Sequence, residues 1–261
     1  MPSIVNCIES YLKSSFDREE SISAKKFYVS DMGKCMRVRW LKRKGIATEF
    51  EPHVYWILQL GNLIHDYGYK ALEAKGLLLE AEDYVKAEHW SGRFDGIIKN
   101  GKDKCVFDFK STGSYQMNKV ISGEDSEENI SQLLSYTMLL QEKRKDISET
   151  AYMIYINKEP NDLTPQVFFQ KEYHLTNWRA KQLKEEMETL TETWLKDKIP
   201  ACTCSGWAKG PRYNSYFPLC NAKEAEVRKI VDYLEAKKKV VSTKTNVYIL
   251  DGEVKKEVLK V

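Results

Sequence analysis

The sequence predicts an α/β domain with a helical, cysteine-bearing flank, and three observations predict it. Asn100-Gly101 divides two runs of alternating apolar residues, the strongest short hairpin signal. Apolar residues recur at helical spacing on either side of that hairpin, over 57–71 and 130–140. Further alternating runs at 151–157 and 166–174 supply more strands. With 261 residues, the chain has room for one large domain or two small ones. It shows no internal repeat and no low-complexity linker, so 1–261 is read as a single domain. Its parts are 1–50, an N-terminal helical part with the first cysteine; 51–175, the core; 176–221, a long helix and cysteine loop; and 222–261, a helix and hairpin.

Residues 1–28 read as a helical lead-in. Ser30 reads as an N-cap, and the helix after it carries Cys35 and a basic run (Lys34, Arg37, Arg39, Lys42, Arg43, Lys44) before ending at Gly45. A second helix spans Pro52 to about Lys75, with the apolar stripe Ile57, Leu60, Ile64, Tyr67 and Ala71. Beside that stripe run Gly61, His65 and Gly68. Glycine weakens a helix, so close packing on a sheet is the reason expected for two of them, and His65 then faces the sheet. Strands follow over Leu79–Glu88, His89–Ile98, Lys104–Lys110, Ala151–Asn157 and Gln166–His174. Ser111–Ser126 reads as a loop. The helix from Glu127 to about Gln141 buries Ile130, Leu133, Leu134, Thr137 and Leu140, with Gln132 and Tyr136 as an i, i+4 pair on its flank. A long helix over Thr176–Lys198 ends at Pro200. After the cysteine loop come a helix from Ala222 to Lys239 and a tail with a second hairpin signal, Asp251-Gly252.

Composition bounds the function. Hydrophobic residues make up 42% and charged ones 30%, as in a globular chain. No apolar run approaches the ~20 residues of a membrane span, and Met1–Lys25 lacks a signal-peptide core. An intracellular, cytoplasmic protein with no membrane partner is expected. A net charge of only +3 gives no global nucleic-acid signature, which leaves local clusters. The basic run at 34–44 reads either as a solvated helix face or as a phosphate-contacting one.

The chemistry concentrates in Gly92-Arg93-Phe94-Asp95-Gly96 and Phe107-Asp108-Phe109-Lys110. With Asn100-Gly101 as the turn, Lys99 pairs with Lys102 and Asp95 with Val106. Side chains alternate across a strand, so Asp95, Val106, Asp108 and Lys110 share one face and Phe94, Cys105, Phe107 and Phe109 the other. The two aspartates are then diagonal neighbours, roughly 7–8 Å apart at the backbone. Like charges repel unless a proton or cation intervenes, and Mg²⁺ or Mn²⁺ is the natural cation. An exposed strand face is the plainer reading of Asp-x-Lys alone. Glu80, Glu82 and Glu88 are nearby acids, read either as a solvated strand face or as a source of metal assistance.

The order His65, Gly-Arg-Phe-Asp95, Asp108-Phe-Lys110, Gln132-x-x-x-Tyr136 resembles the RecB-type branch of the PD-(D/E)XK nucleases over about residues 57–157. The resemblance implies a restriction-endonuclease-like core, a mixed central sheet flanked by helices. It implies His65, Asp95, Asp108 and the backbone carbonyl of Phe109 as ligands of Mg²⁺ or Mn²⁺. Lys110 would position the attacking water and offset phosphate charge. Gln132 and Tyr136 would hold the site together and touch the nucleic-acid backbone.

Six cysteines are present, and in a reducing compartment they are not expected to pair as disulfides. Cys105 reads as core, and Cys7 carries no signal. Cys35 before the core, with Cys202, Cys204 and Cys220 after it, resembles the iron–sulfur subset of that branch, which includes AddB and the CRISPR-associated exonucleases. Ser30-Asp-Met-Gly-Lys-Cys35-Met-Arg37 is similar to its N-terminal motif. The resemblance implies a [4Fe–4S] cluster on the four thiolates, with Zn²⁺ as the alternative. The chain departs from the usual Cys-x-x-Cys pair: it has Cys202-Thr-Cys204 and then fifteen residues before Cys220. Within that insert Trp207, Lys209, Arg212, Tyr213, Tyr216 and Phe217 suit either base stacking or loop packing. Arg37, Arg39, Lys42, Arg93, Tyr136 and Arg212 are the candidate nucleic-acid contacts.

The expected function is a metal-dependent DNA exonuclease acting on single strands or free ends, 5′ to 3′ by resemblance, in recombination, repair or phage DNA processing. A structure-specific endonuclease is the alternative, as is a nucleic-acid-binding or assembly protein on a nuclease fold. The C-terminal hairpin offers an edge for a protein partner in a recombination or repair complex.

Overall fold

A computed structural model describes residues 3–16, 26–46, 52–204, 216, 219–220, 222–240, 248–250 and 253–255. The described residues fall into two compact units. The first draws on Met1–Glu19, Tyr28–Gly33 and Pro52–Glu185, and the second on Glu20–Phe27, Lys34–Glu51 and Glu186–Val261.

In the first unit a mixed sheet is flanked by helices. Its strands are β2 (Leu78–Ala81), β5 (Gly96–Asn100), β6 (Asp103–Thr112), β7 (Ile147–Asn157) and β8 (Phe168–His174), in the order β2-β5-β6-β7-β8. All neighbours run antiparallel except β6 and β7. A parallel pair needs a crossover, and two helices supply it, α4 (Ser114–Ile121) and α5 (Glu127–Lys143). α5 was expected; α4 lies inside the stretch read as a loop. Ser126 caps α5 through its hydroxyl, which accepts from the Asn129 amide, a common N-terminal signature.

The hairpin register differs from the expected one. Asn100 pairs with Asp103, Ile97 with Val106 and Gly96 with Phe107, so the two-residue loop is Gly101-Lys102 rather than Asn100-Gly101. Gly101 takes φ +62°, the left-handed backbone that the first position of a type II′ turn requires. The slip is two residues, an even number. It therefore keeps every β6 side chain on its expected face, where a one-residue slip would reverse them all. It also moves Asp95 along the ladder toward Asp108.

The two long strands expected before the turn are each broken. Residues 78–86 form β2 and β3 (Tyr84–Lys86), and residues 90–100 form β4 (Trp90–Arg93) and β5. Glu82 stands at the first break with φ +51°, a conformation that costs a non-glycine residue energy. Its amide donates to the Asp95 carbonyl across the second break. The kink turns Phe94 away from Phe107, against expectation, so that its ring lies 6.3 Å from that of Tyr136 on α5.

Helix α3 (Pro52–Ala74) covers the Phe107–Phe109 face. Ile64, Tyr69 and Leu72 pack there on Cys105, Phe107 and Phe109. The face is displaced from the predicted stripe, and Tyr67 is 66% exposed. Small residues decide this: a Cβ on Gly68 would lie 2.4 Å from the Phe109 ring. No side chain fits there, and the Gly61–His65–Gly68 row meets the sheet instead. Helix α1 (Ile4–Phe16) packs against α3.

The second unit contains α2 (Met36–Arg43), the end of α6 (Asn177–Leu195) and α7 (Glu224–Val240). Ser30 belongs to a 3-10 turn, Val29–Asp31, and the N-cap of α2 is Cys35. The helix ends at Arg43 with Lys44 as its C-cap, and Gly45 follows at φ +79°. Its basic residues are not a solvated face. Arg39 is 3% exposed and pairs with Glu186 at 2.5 Å. Arg43 stacks 4.3 Å from the Phe27 ring and 4.2 Å from that of Trp194, and burial pulls its pKa down to about 10. In the C-terminal tail β9 (Tyr248–Leu250) and β10 (Glu253–Lys255) pair antiparallel; the Asp251-Gly252 turn lies outside the described residues. No helix among the described residues is long and apolar enough to cross a membrane.

Candidate active site and cysteine centre

Three elements of the first unit bring one set of side chains together. β6 presents Asp108 and Lys110 to the α5 side, because residues of even number face that way while the phenylalanines face α3. Lys110 Nζ lies 2.6 Å from Asp108 Oδ2. Gln132 bridges the pair: its amide nitrogen donates to Asp108 Oδ1 at 3.2 Å, and its carbonyl accepts from Lys110 Nζ at 3.0 Å. Asp95, in the break between β4 and β5, accepts the Phe109 amide on Oδ2 at 2.7 Å. His65 Nδ1 stands 3.7 Å from the same oxygen, and its ring is 5.5 Å from that of Phe109.

The electrostatics fit a cation. Burial above all, with the Asp108 charge next, pushes the Asp95 carboxyl up to about 8. Burial also pulls the His65 imidazole below its usual value, which keeps it neutral with a lone pair to offer. Asp108 is 1% exposed, and its Oδ2 is buried with no aligned hydrogen bond, the close ammonium notwithstanding. A buried carboxylate, a half-buried one and a neutral imidazole are hard and intermediate donors that suit Mg²⁺ or, with the nitrogen, Mn²⁺.

Tyr136 is 1% exposed, and its hydroxyl is buried without an aligned partner. Its ring occupies the space over Gly92, where a Cβ would lie 2.8 Å from the hydroxyl. It therefore supports the site from beneath and is too deeply buried to touch a nucleic-acid backbone, which corrects the expectation for that residue. Two further acids bear on the site: Asp31, to which the sequence assigns no role, and Glu82, read from the sequence as a solvated strand acid or an aid to the metal. Asp31 is buried and its charge bears on Tyr136. The Glu82 carboxylate lies 3.4 Å from Arg93 Nη1, and its charge reaches His65 and Asp95. No spacing rule marks either one, because a strand break and a 3-10 turn place them.

In the second unit, Cys35, Cys202, Cys204 and Cys220 bring their sulfurs within 4.8 Å of one another. Cys35 Sγ is 3.8 Å from Cys202 Sγ, and Cys204 Sγ is 3.9 Å from Cys220 Sγ. A disulfide needs about 2.05 Å, and all four are free thiols. The Cys220 thiol, with the Thr203 amide among others, holds Cys35 far below the usual thiol range, while burial raises Cys204. The four residues can hold a metal. A tetrahedron with metal–sulfur bonds of about 2.3 Å has edges of about 3.8 Å, which matches the closer pairs. A four-iron cluster sets its thiolates further apart than this.

The basic residues divide. Arg37 is 9% exposed and, like Arg39, is committed to internal partners. Burial takes both out of the expected phosphate contacts. Lys42 is half-buried, and Arg93 is partly exposed at the rim beside Glu82. Arg212 lies outside the described residues, as do Trp207, Lys209, Tyr213 and Phe217. Tyr216 is buried and donates to the Ile46 carbonyl at 2.8 Å, which is loop packing and not base stacking.

No protein-family model and no curated protein matches the chain. Among solved structures it is similar to SSO0001, at a TM-score of 0.44 and 18% identity over 72% of this chain and 87% of that one. It is similar to an alkaline exonuclease from Laribacter hongkongensis at 0.41 and 12%, over 84% and 96%. A phage-related exonuclease from Haemophilus somnus 129PT follows at 0.39 and 16%, over 53% and 70%. Likenesses at this level assign neither activity nor substrate to this chain.

Proposed function

We propose that the chain is a metal-dependent nuclease that hydrolyses phosphodiester bonds in DNA, as an exonuclease on single strands or free ends. The observation that carries this is the convergence of Asp108, Lys110 and Gln132 on one face of β6 with Asp95 and His65, which meet them at the break between β4 and β5. His65, Asp95 and Asp108 would hold Mg²⁺ or Mn²⁺, with the Phe109 carbonyl as a fourth donor. An ion held there would supply a water of lowered pKa and positive charge for the phosphate. The chain's own residues do the rest. Lys110, pinned between Asp108 and Gln132, presents an ammonium to the negative charge that builds on phosphorus. Gln132 fixes the separation of Lys110 and Asp108. The Phe109 amide holds Asp95 in place, and Tyr136 fills the floor. Arg93, at the rim, is the candidate phosphate contact that remains exposed.

For the cysteine centre, the resemblance favours a [4Fe–4S] cluster, whereas the sulfur separations favour a single tetrahedral ion such as Zn²⁺. Anaerobic purification decides: brown protein with stoichiometric iron supports the cluster, and colourless protein with stoichiometric zinc supports the ion. The nuclease reading is tested with single-stranded and duplex DNA labelled at either end, in Mg²⁺ or Mn²⁺, comparing wild type with Asp108→Ala. Metal-dependent shortening from an end, lost in the variant, is expected. Internal cutting would favour the endonuclease alternative. Binding without cleavage by folded wild type would favour the assembly reading.

A further inference from the structure

We infer that Arg37 is the positioning residue that assembles the cysteine centre; the inference rests on the reading that the four thiolates hold a metal, whichever metal it is. The problem Arg37 solves is one of chain length. Cys202 and Cys204 are almost adjacent, but fifteen residues separate Cys204 from Cys220. A Cys-x-x-Cys pair closes its own chelate loop. A long loop closes only against its conformational entropy, so something else must hold its ends.

The Arg37 guanidinium does so. Nε donates to the Pro200 carbonyl at 2.9 Å, just before the first two cysteines. Nη1 is shared among the carbonyls of Leu219, Cys220 and Ala222 at 3.4, 2.9 and 2.9 Å, around the last one. One rigid planar group thus clasps both ends of the segment that carries three of the four sulfurs. Arg37 stands two positions after the fourth, Cys35, which lies at the N-cap of α2. The Cys35 end is tied down as well: the Met36 amide donates to Thr203 Oγ1 at 3.2 Å, and the Thr203 amide to Cys35 Sγ at 3.3 Å.

Two features make this more than ordinary packing. The carbonyls belong to the ligand-bearing segment itself, so their positions set where the sulfurs stand. The fork of donors is also specific to arginine. A lysine ammonium is a single point of donation on a flexible stem and cannot span Pro200 and Cys220 together.

The test compares wild type, Arg37→Met and Arg37→Lys as full chains. Bound iron and zinc are measured after purification, and their release to a chelator is timed well below each protein's melting temperature by circular dichroism. Loss of an outer partner of a metal site costs roughly 10- to 100-fold in affinity. We expect release from Arg37→Met to quicken by about that factor while the fold is intact, with Arg37→Lys between it and wild type. Wild-type release rates in Arg37→Met, or metal loss that only tracks unfolding, would overturn the assignment while leaving the metal reading standing. A wild type with neither iron nor zinc would remove the metal reading, and this inference with it.

Discussion

The carboxylate site and the cysteine centre place the same demand on the chain, several ligands on one point, and meet it by different means. In the first, regular structure does the placing. Asp108 and Lys110 are two residues apart on one strand, the Phe109 amide between them holds Asp95, and Gln132 reaches down from the helix covering that face. In the second, Cys35 and Cys202 lie 167 residues apart, no strand or helix period relates them, and one buried arginine closes the loop. A periodic site keeps its faces: Asp108 and Lys110, two apart on β6, share one face whatever residue of β5 pairs with them. A clasped site depends on its clasp.

The sharpest way to break this comparison is Asp108→Ala. Removing a buried carboxylate on which the charged transition state depends should lower cleavage by at least roughly 10²- to 10³-fold, and the metal content of the cysteine centre should not change. A parallel loss of iron or zinc, measured on the same sample, would show that the two sites are not separable in this way. The reciprocal change, Cys220→Ser, should leave the centre largely unloaded and lower the melting temperature by roughly 2–4 °C for each kcal/mol of stability lost. A fully loaded Cys220→Ser protein would mean that three thiolates and water suffice.

These two sites also differ in how much of them could be read from residues alone. The face assignment of β6 followed from a period of 2 and the sheet-facing His65 from the glycines at helical spacing around it, whereas the α5 contact to the site came from the family resemblance alone. The break at Glu82 and Asp95 followed from none of these, because it depends on a left-handed residue that no composition rule demands. α4 was missed because Gly and Ser around 111–126 hide an apolar pair, Met117 and Val120, that buries against the sheet. Arg37 and Arg39 looked like surface charge. Only the tertiary structure shows their guanidiniums turned inward, Arg37 onto backbone carbonyls and Arg39 onto a glutamate. Sequence patterns report solvent on one face of an element; they do not report which distant backbone will come to cover it.

Gly92→Ala tests the packing beneath the carboxylates at a smaller scale. The new methyl would meet the Tyr136 hydroxyl at 2.8 Å and Val29 Cβ at 2.9 Å. Overpacking of this kind costs about 1–3 kcal/mol, read by urea unfolding, and should slow cleavage through displacement of Tyr136. The double variant Gly92→Ala/Tyr136→Phe removes the hydroxyl and should recover part of the loss. No recovery would place the strain at the Tyr136 ring, whose Cε1 also lies 2.8 Å from the new methyl, or at Val29.

A further effect is expected in the pH dependence of stability without metal. The Asp95 pKa is raised in the folded protein to about 8, from an ordinary value of 3.8, by burial and by Asp108. Between those two values the folded state holds a proton that the unfolded chain has lost. Linkage then makes the protein less stable as pH rises through that window. The contribution is fully present below about 4 and is gone above about 8. His65 works in the opposite sense, because its lowered value makes the unfolded chain the better proton binder below its ordinary pKa of about 6.5. The Asp95 slope should therefore show most clearly from about 6.5 to 8, in urea titrations with a chelator present. Asp95→Asn should flatten it there. Added Mn²⁺ should reverse it, because the cation takes the place of the proton between the two carboxylates. A slope unchanged in Asp95→Asn would mean that the pair is not where the protein stores its strain, and that the carboxylate site is as relaxed without a cation as the cysteine centre is clasped.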